Sequence, residues 1–308
     1  MFQVQIVYSA CCVIRTQDTK ILCDPWFTQG IHGGTWFHNP ILEKPIDIIG
    51  ECDYIYISHI HEDHYDKEFL EIYCNHLRSK NKAPKLIIAP RSNRNFLEAK
   101  IKRDNFAEEL CVVDQMKIGD TTVILREYKS GIDGEIDSCI FVENRGKSLL
   151  NINDISFNEE NMRKTLDGIE ISKLNCLLTK QAGAGPYPQM YFEGEELKNK
   201  HKEKVAYNKQ MFRETVNFFE PEVVIPFAGD YVLGGGIGHL NEFRGMYDTI
   251  ETQQIDKRSI PIDIKTGREY FDIEKKKATK IKKKETSHYE GYSRRLSIVN
   301  EIRRKKWY

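Results

Sequence analysis

Ser58-His59-Ile60-His61-Glu62-Asp63-His64 follows directly on the apolar run Tyr54-Ile55-Tyr56-Ile57. Three imidazoles and the Asp63 carboxylate fall between positions 59 and 64. A strand that ends this way gains nothing from packing, because each of these side chains is costly to bury without a partner. Alternation along an extended chain points His59 and His61 the same way, so the two can share one metal ion. Asp63 and His64, past the turn, can address a second ion close by, and borderline divalent ions accept this mixture of imidazole and carboxylate. The alternative is a solvated polar loop with chance histidines. Histidine is scarce, at 9 of 308 residues, and that argues against coincidence.

Around this stretch the chain reads as a strand-rich protein. Strands are expected at Gln3–Tyr8, Cys12–Thr16, Lys20–Cys23, Tyr54–Ser58, Lys85–Ala89, Leu110–Val113, Thr121–Tyr128, Ser138–Glu143, Ser148–Ile152, Cys176–Thr179 and Val223–Pro226. Helices are expected at Lys67–Ser79, with Asp66 as its N-cap, and at Arg91–Lys102, Asn158–Leu166 and Met211–Phe219. A β-rich first half, with helices between later strands, predicts an α+β fold. Two packed sheets with helices outside make an αββα sandwich. Metal-binding residues would then sit on loops at one edge of both sheets.

The bulk composition bounds the rest. Lys+Arg and Asp+Glu are equal at 46 each, so whole-chain charge points to no polyanionic partner. The eight cysteines lack regular spacing and lie mostly in apolar runs, the pattern of reduced, buried thiols. The first residues carry no basic segment and read as a strand, not a signal peptide. No apolar stretch reaches the length of a membrane span, and the expected compartment is the cytoplasm. The charge is uneven, however. Between Glu274 and Tyr308 thirteen Lys/Arg face four Glu. The expected organisation is a catalytic domain over residues 1–265 and a basic extension over 266–308, in which Leu296, Ile298, Val299 and Ile302 mark a docking helix. Such a tail is most often a solvated extension, and nucleic acid is not its expected partner.

His59-x-His61-x-Asp63-His64 after a hydrophobic strand resembles the signature of the metallo-β-lactamase fold, whose architecture is the αββα sandwich. Leu22-Cys23-Asp24-Pro25-Trp26, Gln181-Ala182-Gly183-Ala184-Gly185-Pro186-Tyr187-Pro188 and Ile225-Pro226-Phe227-Ala228-Gly229 further resemble the corresponding part of CMP-N-acetylneuraminate hydroxylases. The resemblance covers roughly residues 12–245. It implies that Asp24 supports the ligand loop from behind. It also implies that Asp154, closing the strand Leu149–Ile152, bridges two ions, and that His239, on the glycine-rich loop Gly234–Gly238, is the last histidine ligand. The alternatives are a helix N-cap for Asp154 and a surface histidine for His239.

The third ligand of the first ion is where the chain departs from the family's hydrolases, which place a histidine between the motif and the bridging aspartate. Between Cys74 and Asp154 the only histidine is His76, inside an expected helix. Alternation along Val123–Tyr128 puts Glu127 on the core side at the strand's end, 27 residues before Asp154. That resembles the arrangement in the diiron oxygenase of chloramphenicol biosynthesis; the alternative is a surface ion pair with Arg126 or Lys129. With Glu127 the ligand sets become His59, His61, Glu127 and Asp63, His64, His239, with Asp154 between them and Asp63 and Asp154 as candidate catalytic carboxylates. Two histidines and a carboxylate at each ion favour iron, with O2 as co-substrate, over a zinc or manganese hydrolase of lactonase or phosphodiesterase type.

An oxygenase needs electrons. Cys74-Asn75-His76 supplies one Cys-x-His pair, but no Cys-x-x-His follows to complete a Rieske cluster, so a separate ferredoxin or reductase is the expected partner. Trp26, Trp36, Phe37, Tyr187 and Tyr191 are candidate pocket aromatics. Lys180 and Arg244 are candidate contacts to an anionic substrate, with a nucleotide-activated sugar as the class the resemblance implies.

Overall fold

The computed structural model describes residues 1–83, 85–132 and 136–282. Its larger sheet has eight strands in the order Lys277–Ala278, Tyr270–Asp272, Gln3–Tyr8, Cys11–Arg15, Lys20–Cys23, Tyr54–Tyr56, Lys85–Ile88, Glu109–Val112. The second has six, in the order Val223–Phe227, Cys176–Lys180, Lys147–Asn151, Ser138–Asn144, Thr121–Glu127, Gln115–Ile118. A short ribbon pairs Trp36–Phe37 with Val232–Leu233.

Side-chain alternation builds the layers. Ile21 and Cys23 face the second sheet, where they meet Val123, Leu125, Ile140 and Leu178. Leu22, between them, points outward to Ile55, Leu70, Tyr73 and Leu77 under the helix Lys67–Ser79. On the other side Leu149 faces inward, while Leu150 packs outward against Met162, Phe212 and Val216. The result is helix, sheet, sheet, helix: the expected αββα sandwich.

Short elements such as the strand Gln115–Ile118 and the ribbon strands are not expected from the sequence, and three larger features differ from the sequence reading. The helix expected from Arg91 begins at Phe96, capped by the Asn95 side chain, because Arg91 is drawn across to the loop carbonyls of Ser58 and Asp137. The helix expected over Met211–Phe219 is the last part of a 26-residue helix, Gly194–Phe219. Its front is so charged that apolar periodicity is faint there, and pairs such as Lys198–Glu195 and Lys200–Glu203 line it instead. The sheet also continues past the boundary expected at residue 265. Tyr270–Asp272 pairs with Gln3–Gln5, and Phe271 and Ile273 are buried between the sheets. The docking helix expected around Leu296–Ile302 lies outside the described residues. Among the described residues no helix is long and apolar enough to cross a membrane.

Candidate metal centre

Parallel neighbours deliver their carboxyl ends to one edge of the sandwich. Lys20–Cys23 runs parallel to Tyr54–Tyr56, so Asp24 and the loop from Ser58 to His64 leave the first sheet side by side. Lys147–Asn151 and Cys176–Lys180 do the same in the second sheet, bringing Asp154 and Lys180 to the edge. The two sheets are tied here by Tyr56 Oη and Ser138 Oγ at 2.8 Å, and by Ser138 Oγ donating to Ser58 O at 2.6 Å. Asp66 caps the helix Lys67–Ser79 and also accepts from the backbone N–H groups of Phe27 and Thr28, at 2.8 and 2.7 Å.

Asp24 is completely buried and holds a left-handed backbone conformation, φ 44°. One of its oxygens accepts the Ser58 N–H at 2.7 Å, and the other stands 3.2 Å from His64 Nδ1. This fixes the ring so that Nε2 faces Asp154 Oδ2 at 3.5 Å and Asp63 Oδ2 at 3.6 Å. His59 Nδ1 lies 3.0 Å from Ser58 Oγ and 3.5 Å from Asp137, which leaves its Nε2 to meet His61 Nδ1 at 2.8 Å. Ligand atoms of His59, His64 and Asp154 lie within 4.8 Å of one another.

The electrostatics follow from this packing. Burial pushes His59 well below the usual imidazole range, the neighbouring His64 adds to the effect, and the ring stays neutral. His61 is lowered by the same two causes. For His64 burial acts in the same direction, but Asp63, Asp154 and Asp24 outweigh it and hold its pKa well above the ordinary value. Burial would raise Asp154; His64 and Lys180 overcome it and hold that carboxyl below the usual range. His64 Nε2 is buried without a hydrogen-bond partner among the described residues. A buried lone nitrogen aimed at two carboxylates suits a cation ligand, so the residues present fit a divalent metal.

Not every expected ligand joins the cluster. Glu127 accepts from the Ser92 N–H at 3.0 Å, from Ser92 Oγ at 2.7 Å and from Lys129 Nζ at 2.5 Å. Burial is outweighed by these partners, and the carboxyl lies below its usual range. His239 is exposed on a 3-10 turn, its Nδ1 3.0 Å from Gly236 O. Neither belongs to the group of converging ligand atoms. The sequence reading passed over His32. Its Nε2 lies 3.3 Å from Asp63 Oδ1, delivered by a glycine-rich loop with no strand-end pattern to flag it.

The expected substrate residues divide. Trp26 is 1 % exposed and packs against Tyr8 and His38, a place in the core. Phe37 is likewise buried, whereas Tyr191 is exposed. Trp36 stacks on Tyr231 at 3.8 Å, and Arg244 covers the same Tyr231 ring at 4.9 Å. Lys180 and Tyr187 line a cavity of about 520 Å³ together with Ile155, which follows Asp154 in the chain, and with Phe157, Met211 and Phe212. Gly229 lets two strand-end loops close beside it: its φ is +85°, and a Cβ would stand 2.7 Å from Ala182 O. Lys204 lines the cavity too, donating to Tyr187 O at 2.6 Å. Burial, then Arg244 and Lys180, lower its pKa to about 8.

Comparison with known proteins places this geometry. No family model matches the sequence. A Mycobacterium tuberculosis protein described as a Rieske 2Fe-2S iron-sulfur protein is 28% identical over 198 residues, covering 61% of this chain and 36% of its own length. The cytidine monophosphate-N-acetylneuraminic acid hydroxylase of Danio rerio is 23% identical over 235 residues, covering 71% of this chain and 36% of that protein. The chain thus spans little more than a third of the length of these two relatives. Among solved structures, an isothiocyanate hydrolase from Delia radicum gut bacteria matches with a TM-score of 0.57 at 12% identity, covering 85% of this chain and 97% of that one. A variant of the β-hydroxylase CmlA gives 0.54 at 14% identity, with coverages of 85% and 52%. The metallo-β-lactamase fold protein YhfI of Bacillus subtilis gives 0.54 at 8% identity, with coverages of 88% and 100%. Layering, strand order, the position of the histidine loop and these likenesses lead to one statement: this chain has the metallo-β-lactamase fold.

Proposed function

We propose that this chain is a metal-dependent oxygenase acting on a small anionic metabolite, of the nucleotide-activated sugar class, with electrons from a separate ferredoxin or reductase. The observation that carries the reading is the converging group of His59, His64 and Asp154 beside a lysine-lined cavity. Two histidines and one carboxylate form the set that holds non-haem iron with positions left open. With two ions, His59 and His61 would hold the first and His64 and Asp63 the second, with Asp154 between them. The similarity to hydroxylase and Rieske-type proteins supports oxidation over hydrolysis.

Iron bound there would supply the redox chemistry for using O2, whereas zinc or manganese would act as a Lewis acid. The protein's own groups do the rest. Lys180 and Lys204 draw an anionic substrate into the cavity, and Phe157, Met211 and Phe212 pack its apolar parts. Asp24 keeps His64 aimed at the centre, and Lys180, bonded to Asp154 O and Ser156 Oγ, ties the cavity wall to the carboxylate. A hydrolase is the second reading. It draws on Glu127, whose engagement with Lys129 and Ser92 keeps one oxygen donor away from the cluster.

The test is anaerobic purification followed by metal analysis and oxygen-electrode assays with a reduced ferredoxin and sugar nucleotides. The oxygenase reading expects iron and substrate-dependent O2 uptake. Stoichiometric zinc, ester or phosphodiester turnover and no O2 uptake would move the assignment to the hydrolase.

A further inference from the structure

The segment Gln29–Trp36 carries His32 on a turn closed by the Gly30 N–H donating to Trp36 O at 2.8 Å. Gly30, Gly33 and Gly34 have positive φ, and His32 joins them at φ 50°, ψ 56°, a left-handed conformation that a side chain with a Cβ adopts at a cost. The conformation is held on several sides. The His32 N–H donates to Glu62 Oε2 at 2.5 Å, Thr35 Oγ1 donates to His32 O at 2.8 Å, and the ring meets Trp36 edge-on at 4.5 Å. Trp36 is itself fixed by its stack on Tyr231 and by the ribbon it forms with Leu233. All of this converges on one contact, His32 Nε2 to Asp63 Oδ1 at 3.3 Å.

Asp63 has two oxygens with separate tasks. Oδ2 turns towards His64 Nε2 at 3.6 Å, the side of the metal cluster, and Oδ1 is the one His32 meets. A carboxylate gripped through one oxygen presents the other in a fixed direction, the usual way an outer partner orients a metal ligand. We propose that His32 is a positioning residue: it donates its Nε2–H to Asp63 Oδ1 and so holds Asp63 Oδ2 ready for a second divalent cation shared with His64. This rests on the two-ion reading of the site. It assigns to His32, and not to His239, the part of completing the Asp63–His64 side. His239 bonds its own turn instead.

The probe is cobalt(II) alone, titrated into the full chain while the visible absorption band and the stoichiometry are followed, with circular dichroism as a check on folding. For His32→Ala the expectation is that one ion binds as in the unaltered protein and the other roughly 10–100-fold more weakly. His32→Gln, whose amide N–H reaches the same oxygen, should restore affinity and band shape. His32→Ala that takes up both ions like the unaltered protein would overturn the proposal. So would His32→Gln that fails as badly as His32→Ala with its fold intact, because the ring would then be acting as a ligand itself. If the unaltered chain bound a single ion, the two-ion reading would fall. Comparison of His32→Ala with it on that ion would still judge the role of His32.

Discussion

His64 sits where three carboxylates meet, Asp24 at Nδ1 and Asp63 and Asp154 around Nε2, and the ring has almost no solvent around it. Its neighbour His59 is held neutral by burial while His64 is held charged, so the metal-free site carries a proton where a cation fits. Asp24 sets this up without touching the open side of the ring, since one oxygen accepts the Ser58 N–H and the other faces His64 Nδ1 at 3.2 Å. Asp24→Asn keeps an acceptor for Ser58 and removes the charge behind His64. Metal affinity is expected to fall about 10–100-fold while circular dichroism is unchanged, as measured by competition with a chromophoric chelator. Unaltered affinity would show that the ring needs no support from behind. At this scale the sequence is readable where chemistry is local. His59, His61, Asp63 and His64 lie within one loop, and Asp24 and Asp154 each close a strand. Glu127 also closes a strand on the inward face, but alternation cannot foresee that Ser92 and Lys129 reach it.

The elements were legible in proportion to their apolar pattern. Gln3–Tyr8, Lys20–Cys23 and the helix Lys67–Ser79 carry clean periods and begin and end where expected. The front of Gly194–Phe219 has charged residues on most faces, so only its packed end was visible. Tyr270–Asp272 is three residues long, just before the basic run that starts at Lys275, and it is a strand because Gln3–Gln5 offers it an edge. This short strand has a measurable consequence. Phe271 is 1 % exposed and fills the space between the sheets, so Phe271→Ala is expected to cost about 3–5 kcal/mol of stability. Urea unfolding followed by fluorescence measures it. A change below about 1 kcal/mol would mean that residues after 265 contribute little to the core.

At the scale of the whole molecule, the sandwich places ligands from both sheets at one edge, beside a cavity lined by Lys180 and Lys204. Its protonation should therefore answer to metal. The folded pKa of His64 is raised, so in the metal-free protein its charge adds stability that is full below the ordinary histidine range and is lost as pH rises through the raised value. A metal ion needs the neutral ring. Binding is therefore expected to release about one proton at neutral pH and to tighten as pH rises, which calorimetry in buffers of differing ionisation enthalpy detects. Binding without proton release would contradict the charged state assigned to His64. The most direct measurement is anaerobic titration of iron(II) into the unaltered chain, His64→Ala and Asp154→Asn, with folding monitored alongside. The account predicts tight uptake by the first and at least about 100-fold weaker binding by both variants with folds intact. Variants that bind iron as well as the unaltered chain, or an unaltered chain that binds no divalent ion, would contradict it.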